Sequence, residues 1–268
     1  MPAHLPLVIA HRGASAYLPE NTFEAFKLAF ERFKSDMIEF DVQATRDGVP
    51  VIIHDARLER TTNGHGYVSQ HSYSQLKHLD AGYYFDPQDN QKFPQRGKGI
   101  KIPTLEEVLK GFPKQSFAVE IKERSEELTH AVVGLLKKYG AADRAIVGSK
   151  HHLVSQVMKK HYPHLHRFCS IRNVFSLLLE YRRPKRRIRK DPMAVASTPT
   201  QFLKIRLDTV KWIEFLHAKE MKVFFWFFKG QDRIAVLKKR GADGFVVDDP
   251  GLTNRTLGRL PGIAPTTA

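Results

Sequence analysis

Two short strings near the start of the chain, Ala10-His11-Arg12-Gly13-Ala14 and Ile38-Glu39-Phe40-Asp41-Val42, set a histidine, an arginine and two carboxylates at the polar ends of apolar, strand-like runs. Residues 7–10 and 37–42 read as buried strands. Side chains alternate across a strand, so Glu39 and Asp41 share one face while Ile38, Phe40 and Val42 take the other. Two like charges close together in a poorly solvated place need a proton or a cation between them, which points to a hard divalent ion bound through oxygen. A third carboxylate, Glu120, lies in Phe117-Ala118-Val119-Glu120-Ile121-Lys122, on the same strand face as Lys122. Lys122 is then placed to meet a phosphate oxygen beside the ion. His54 ends the apolar run 49–53 and is followed at once by Asp55.

These are the parts for metal-assisted cleavage of a phosphate ester. His11 and His54 are assigned as the acid/base pair, because imidazole titrates near neutrality and one ring can accept a proton as the other donates. Arg12 and Lys122 would neutralise charge on the phosphoryl oxygens. The all-oxygen set Glu39, Asp41 and Glu120 suits Mg2+ or Ca2+ alike and argues against structural zinc. Plainer readings stand beside these: strand-end acids paired with Arg or Lys, structural histidines, and ion pairs of Arg12 or Lys122 with Glu39 or Glu120, which can coexist with phosphate binding. The other eleven of the 13 histidines, among them His65, His71, His151 and His152, are read as structural.

The elements that must position these groups alternate between strand and helix with short turns, the pattern of a parallel sheet covered by helices. Asn21-Thr22-Phe23-Glu24 looks like a helix start with Asn21 as cap and Glu24 reaching back, and Phe23, Phe26, Leu28 and Phe30 mainly form its apolar side. Asp47-Gly48 marks a tight hairpin between the strand of Asp41 and the one leading to His54. Residues 56–102, rich in Gly, Tyr, Asn, Gln and Pro, break the rhythm and read as an insertion. A capping box from Thr104 to Glu107 restarts a helix. Later strands are expected at 145–148, 167–171, 193–197, 222–227 and 244–247, with helices between them, notably 125–139, 207–219 and 232–240.

That count fits an α/β fold, a TIM-type (β/α)8 barrel with a small insertion after the second strand unit, better than an open sheet. The 268 residues suit one such domain, since these barrels commonly take about 250. Reacting groups in a barrel belong at the carboxyl ends of strands, where His11, Glu39, Asp41, His54, Glu120 and Lys122 fall.

The composition, 42% hydrophobic and 26% charged, is ordinary for a soluble globular protein. Met1-Pro2-Ala3-His4-Leu5-Pro6 lacks the charged start and long apolar stretch of a secretion signal, so a cytoplasmic location is expected. No apolar run approaches the roughly 18 residues that span a membrane. The single cysteine, Cys169, excludes an internal disulfide and is read as a core residue. The net charge of +15 is partly concentrated in the run from Arg182 to Lys190. Such a run is either a solvated loop or a contact for polyanions, an anionic membrane surface or nucleic acid. Nucleic acid is the weaker partner, because no aromatics interleave with the run and the carboxylate cluster would repel phosphate without a metal.

The sequence resembles the glycerophosphodiester phosphodiesterase family. The resemblance is carried by His11-Arg12-Gly13-Ala14 with Pro19-Glu20-Asn21-Thr22, then Glu39-Phe40-Asp41-Val42-Gln43 with Thr45-Arg46-Asp47-Gly48-Val49-Pro50-Val51-Ile52-Ile53-His54-Asp55. Pro103-Thr104-Leu105-Glu106-Glu107, Val119-Glu120-Ile121-Lys122, Gly241-Ala242-Asp243-Gly244 and Asp248-Asp249-Pro250 follow in family order. The resemblance implies a barrel whose insertion arches near the site, and hydrolysis of a glycerophosphodiester to glycerol 3-phosphate and an alcohol such as choline or ethanolamine. It also implies attack by the neighbouring glycerol hydroxyl through a cyclic phosphate that water then opens. Trp226 matches a family tryptophan that would wall the glycerol or head group, although an aromatic in such a run also serves as core. Phe227-Phe228-Lys229 departs from the small or polar residues usual there. This departure and the basic run motivate an alternative, lysophospholipase D-type cleavage of lysophospholipids at an anionic membrane.

Overall fold

The computed structural model describes residues 5–182, 189–202, 204–226 and 231–260. Alternating apolar runs form strands that bury both faces, and the helices between them cover the outer face. In chain order these are β1 (Leu7–His11), α1 (Phe23–Glu31), β2 (Met37–Ala44), β3 (Pro50–Ile52), α2 (Tyr73–Leu76), α3 (Leu105–Gly111), β4 (Ser116–Ile121) and α4 (Glu126–Lys138). Then come β5 (Ala145–Gly148), α5 (His152–His161), β6 (His166–Phe168), α6 (Ile171–Tyr181), β7 (Ala194–Pro199), β8 (Gln201–Phe202) and β9 (Ile205–Arg206). The order ends with α7 (Val210–Ala218), β10 (Lys222–Trp226), α8 (Gln231–Lys239), β11 (Gly244–Val247) and α9 (Pro250–Thr256).

Among the described residues β1, β2, β4, β5, β6, β7, β10 and β11 pair in parallel, and β1 pairs with both β2 and β11, which closes the ring. The expected eight-stranded barrel is the fold. Outside the ring, β3 pairs antiparallel with β2 through the turn at Asp47-Gly48, where Gly48 takes φ +76°. The short β8 and β9 form a separate antiparallel pair.

Strand alternation sorts the core into layers. Ile9, Met37, Ala118, Ile146, Val195 and Phe224 pack into one cluster inside the barrel. Their neighbours Ile38, Phe40, Val42, Phe117 and Val119 turn outward to pack with Phe26 and Ala29 of α1, Leu105 and Val108 of α3, and Val132 and Leu136 of α4. Trp212, Ile213 and Leu216 of α7 cluster with Val223, Phe225 and Phe245 on the opposite side of the ring. Segment 56–102 carries its own small core, in which Leu58, Val68, Leu76, Ala81 and Ile100 gather around Val51 and Ile53. Cys169 is a partly buried thiol beside the α7 cluster, and burial pushes it up to about 12.

Four local expectations differ from the structure. The cap of α1 is Thr22, whose hydroxyl accepts from Ala25 N, because Asn21 takes a left-handed φ of +59° and spends its side chain on Asp41. Phe23 does not join the buried side of α1 but stays partly exposed, its ring 4.6 Å from that of Phe112. The run 167–171 is a strand only to Phe168, since Ser170 caps α6 and Ile171 begins it. Likewise α7 starts at Val210 behind a Thr209 cap, which leaves Asp208 to collect arginines. The capping box of Thr104 and Glu107 is formed as expected.

Of the basic run, residues 183–188 lie outside the described residues, as do Phe227, Phe228 and Lys229 after Trp226. Lys190 pairs with Glu220 at 2.6 Å. No helix among the described residues is long and apolar enough to cross a membrane.

Candidate active site

The parallel register brings the polar strand ends to one rim. His11 of β1 is opposite Glu39 of β2, and Asp41 of β2 is opposite Glu120 of β4. Because Glu39, Asp41 and Glu120 occupy the face shared by the interior residues Met37 and Ala118, all three converge on the barrel axis. They offer ligand oxygens within 4.8 Å of one another, and Glu39 and Asp41 are buried. A second grouping of metal-binding residue types, Glu126, His130 and His161, lies on α4 and α5 and is more exposed.

Fixed cations surround this cluster. Lys122 Nζ stands 3.2 Å from both Asp41 Oδ1 and Glu120 Oε2. Arg12 donates its backbone N–H to Glu39 Oε2 at 3.1 Å, and its Nε approaches Asp41 Oδ2 at 3.1 Å as an ion pair without a formed hydrogen bond. Burial alone would raise the Asp41 carboxyl, but Lys122, Arg12 and His54 together hold it below its ordinary value. Glu39 goes the other way. Burial first, then the Asp41 and Glu120 charges, push it up to about 8 against the pull of His11 and Arg12. Burial and neighbouring like charge both disfavour a bare Glu39 carboxylate here. Three converging oxygen donors fit a hard divalent cation held by Glu39, Asp41 and Glu120.

The turn that carries Arg12 is strained and tightly packed. Arg12 has φ +54° and Gly13 φ +86°, both left-handed. A Cβ on Gly13 would lie 2.8 Å from the Ala25 backbone carbon. Asn21, also left-handed, donates its backbone N–H to Arg12 O at 3.0 Å, while its side chain bonds Asp41 Oδ2 at 2.8 Å and accepts from Asp41 N.

Both histidines are oriented by carboxylates. His11 Nδ1 bonds Asp248 Oδ1 at 2.6 Å, which leaves Nε2 4.0 Å from Glu39 Oε2. Burial works against a charged His11, yet Asp248 and Glu39 outweigh it and raise the ring above its ordinary value. His54 Nδ1 bonds Asp55 Oδ1, also at 2.6 Å. Asp55 pairs with Arg60, Arg60 holds Glu20 through two hydrogen bonds of 2.7 and 2.8 Å, and Glu20 accepts from Arg12 Nη1 at 2.9 Å. This chain ties the second histidine to the first loop. Trp226 is the last residue of β10, half-buried, on the face shared with the interior Phe224.

The structure therefore gathers His11, Arg12, Glu39, Asp41, Glu120 and Lys122 directly, links His54 to them through Asp55, Arg60 and Glu20, and sets Trp226 on the interior face. Nothing in the sequence alone assigns Glu20, Arg60 or Asp248 a role at the site, and Asn21 reads there only as a helix cap. For Asp248 a signal existed: it follows the last strand, and in a closed ring that strand must neighbour β1. For Arg60, within the irregular segment 56–102, there was none.

The sequence pattern of the glycerophosphoryl diester phosphodiesterase family matches residues 11–252. The chain belongs to this family. As a member it is a phosphoric diester hydrolase. A glycerophosphodiester phosphodiesterase of Caldanaerobacter subterraneus subsp. tengcongensis is 33% identical over 253 residues, 91% of this chain and 94% of that protein. The lysophospholipase D GDPD3 of Mus musculus is 27% identical over 271 residues, 90% of this chain and 78% of that protein. A phosphodiesterase of Oleispira antarctica, solved in complex with the product sn-glycerol-3-phosphate, is 27% identical with a TM-score of 0.75, covering 95% of this chain and 97% of that one. Matches of this extent run the length of the barrel, so the rim that holds the carboxylates lies within the shared fold.

Proposed function

We propose that the protein hydrolyses glycerophosphodiesters to an alcohol and glycerol 3-phosphate with a divalent cation held by Glu39, Asp41 and Glu120. The convergence of these three carboxylates at the barrel rim carries this reading. The bound ion, Mg2+ or Ca2+, supplies positive charge that polarises the phosphate.

The chain's own residues do the rest. Arg12 and Lys122, partly buried beside the carboxylates, stabilise the phosphoryl oxygens as charge builds on them. His11 and His54, each with Nδ1 fixed by an aspartate, present Nε2 for proton transfer. One takes the proton of the glycerol hydroxyl next to the diester. That oxygen bonds to phosphorus, the bond to the alcohol breaks, and the other histidine protonates the departing oxygen. Water then opens the cyclic phosphate by the reverse proton transfers. Trp226 walls the glycerol or head group. A substrate analogue without the adjacent hydroxyl tests this route: it should resist cleavage while glycerophosphocholine is turned over, and equal turnover of both would overturn it.

A second reading is lysophospholipase D-type cleavage by the same groups, favoured by the likeness to the mouse lysophospholipase D over nearly the whole chain. Lysophosphatidylcholine in the same assay separates the two, because release of choline from it alone would favour the second.

A further inference from the structure

Helix α6 is apolar on two sides. Val174, Leu177 and Leu178 are buried in the cluster built around α7, as a surface helix requires. Ile171, Phe175 and Leu179, four residues apart and so in one stripe, are 55%, 48% and 47% exposed. Of the nine exposed large apolar side chains among the described residues these three alone share a helix face, and the others are scattered singly.

A cavity of about 650 Å3 opens at the amino-terminal end of the stripe. Its lining includes the apolar Leu153, Ile171, Phe175 and Phe202 and the cationic Arg124, Lys150 and Arg172. Arg124 lies two residues beyond Lys122, and Lys150 two beyond Gly148, which is in register with Glu120. The cavity thus adjoins the rim that holds the carboxylates. At the other end of the stripe Arg182 ends α6 and begins the basic run. The acid of this helix, Glu180, is engaged by Lys219 at 2.7 Å.

We infer that the outer face of α6, with the cavity at its amino-terminal end, is a docking edge for an anionic lipid bilayer. An aliphatic and aromatic stripe flanked at both ends by one sign of charge matches a surface whose phosphates lie above its hydrocarbon. The stripe enters between head groups, and Arg124, Lys150, Arg172 and Arg182 meet lipid phosphates. Nucleic acid would leave the stripe in water. Docking there brings the lipid surface beside the carboxylate rim, where a single-chain phosphodiester can enter; that consequence rests on the proposed hydrolysis, whereas the docking does not.

The test is co-sedimentation of the full chain with vesicles of phosphatidylglycerol and phosphatidylcholine, against pure phosphatidylcholine, at low and high NaCl. Wild type should sediment with the anionic vesicles and retain part of its binding at high salt. Phe175→Ser/Leu179→Ser should reduce binding by at least about tenfold, because the lost carbons no longer enter the bilayer. Glycerophosphocholine turnover and melting temperature should stay near wild type. The single variant Phe175→Ser should move binding in the same direction. Absence of wild-type binding at low salt, or undiminished binding of the variants, would overturn the docking edge. Loss of all turnover in wild type would overturn the proposed reaction and leave the sedimentation result to decide the docking.

Discussion

His11 and Asp248 are joined by a 2.6 Å hydrogen bond across the seam where the first and last barrel strands pair. Ala10 is in register with Val247, so the next residue of each chain segment meets the other above the sheet. Ser15 Oγ donates to the same Asp248 oxygen at 3.2 Å, which fixes the carboxylate from a second side. Closure of the ring is thereby linked to the orientation of His11, the proposed proton carrier.

Asp248→Asn keeps the shape of this contact and removes its charge. Asp248 raises the His11 ring, so the variant's His11 should titrate lower and its limb of the pH–rate profile should move to lower pH. The rate constant kcat should fall by roughly 100-fold, with KM little changed. A profile that does not move would mean that the bond is structural only.

Glu39 makes a prediction about the ion. Held near 8 by burial and by two neighbouring carboxylates, it must lose its proton to become a ligand. Titration of Mg2+ into chelator-treated protein at pH 7 should release close to one proton, read as buffer-dependent binding heat. The release should decline toward zero as the pH rises through about 9. Glu39→Gln should weaken binding and abolish the release.

Much of this site was legible in the sequence because strands impose a period of two. Glu39 with Asp41 and Glu120 with Lys122 had to share faces once the strands were recognised. The placement of His11 at a strand end followed from the same logic. What the sequence hid was side-chain partnership across long separations. Asn21 reads as a helix cap by type, yet its left-handed backbone and its bonds to Asp41 give it another role. Arg60 holds Glu20 and Asp55 from an irregular segment whose path no periodicity predicts.

Asp208 supplies an acid-stability prediction. It has no exposed surface and is held by Arg206, by Arg233 and by Arg240 at 2.7 Å. Burial opposes its charge, but the three arginines outweigh it and lower the carboxyl below its ordinary value of 3.8. The stabilisation is therefore complete above that value and lost as the pH falls through the lower native one. Asp208→Asn should cost about 2 kcal/mol at neutral pH, since it removes the buried anion that three partly exposed arginines share. Urea melts of the variant should also vary less than wild type below about pH 4.

Gly13→Ala tests the strained turn. A left-handed alanine with its Cβ 2.8 Å from Ala25 should destabilise the protein by about 2 kcal/mol, and the loop must shift to relieve it. Because Arg12 precedes this residue, turnover should fall further than the change in melting temperature explains. A variant with wild-type turnover would show that the Arg12 loop tolerates displacement.

A cation held by the three carboxylates and required for diester hydrolysis is tested by release of glycerol 3-phosphate from glycerophosphocholine before and after exhaustive chelation. Activity should disappear with chelator, return with Mg2+ or Ca2+, and fail to return in Asp41→Asn or Glu120→Gln. Undiminished turnover in chelator would show that hydrolysis needs no ion at these carboxylates.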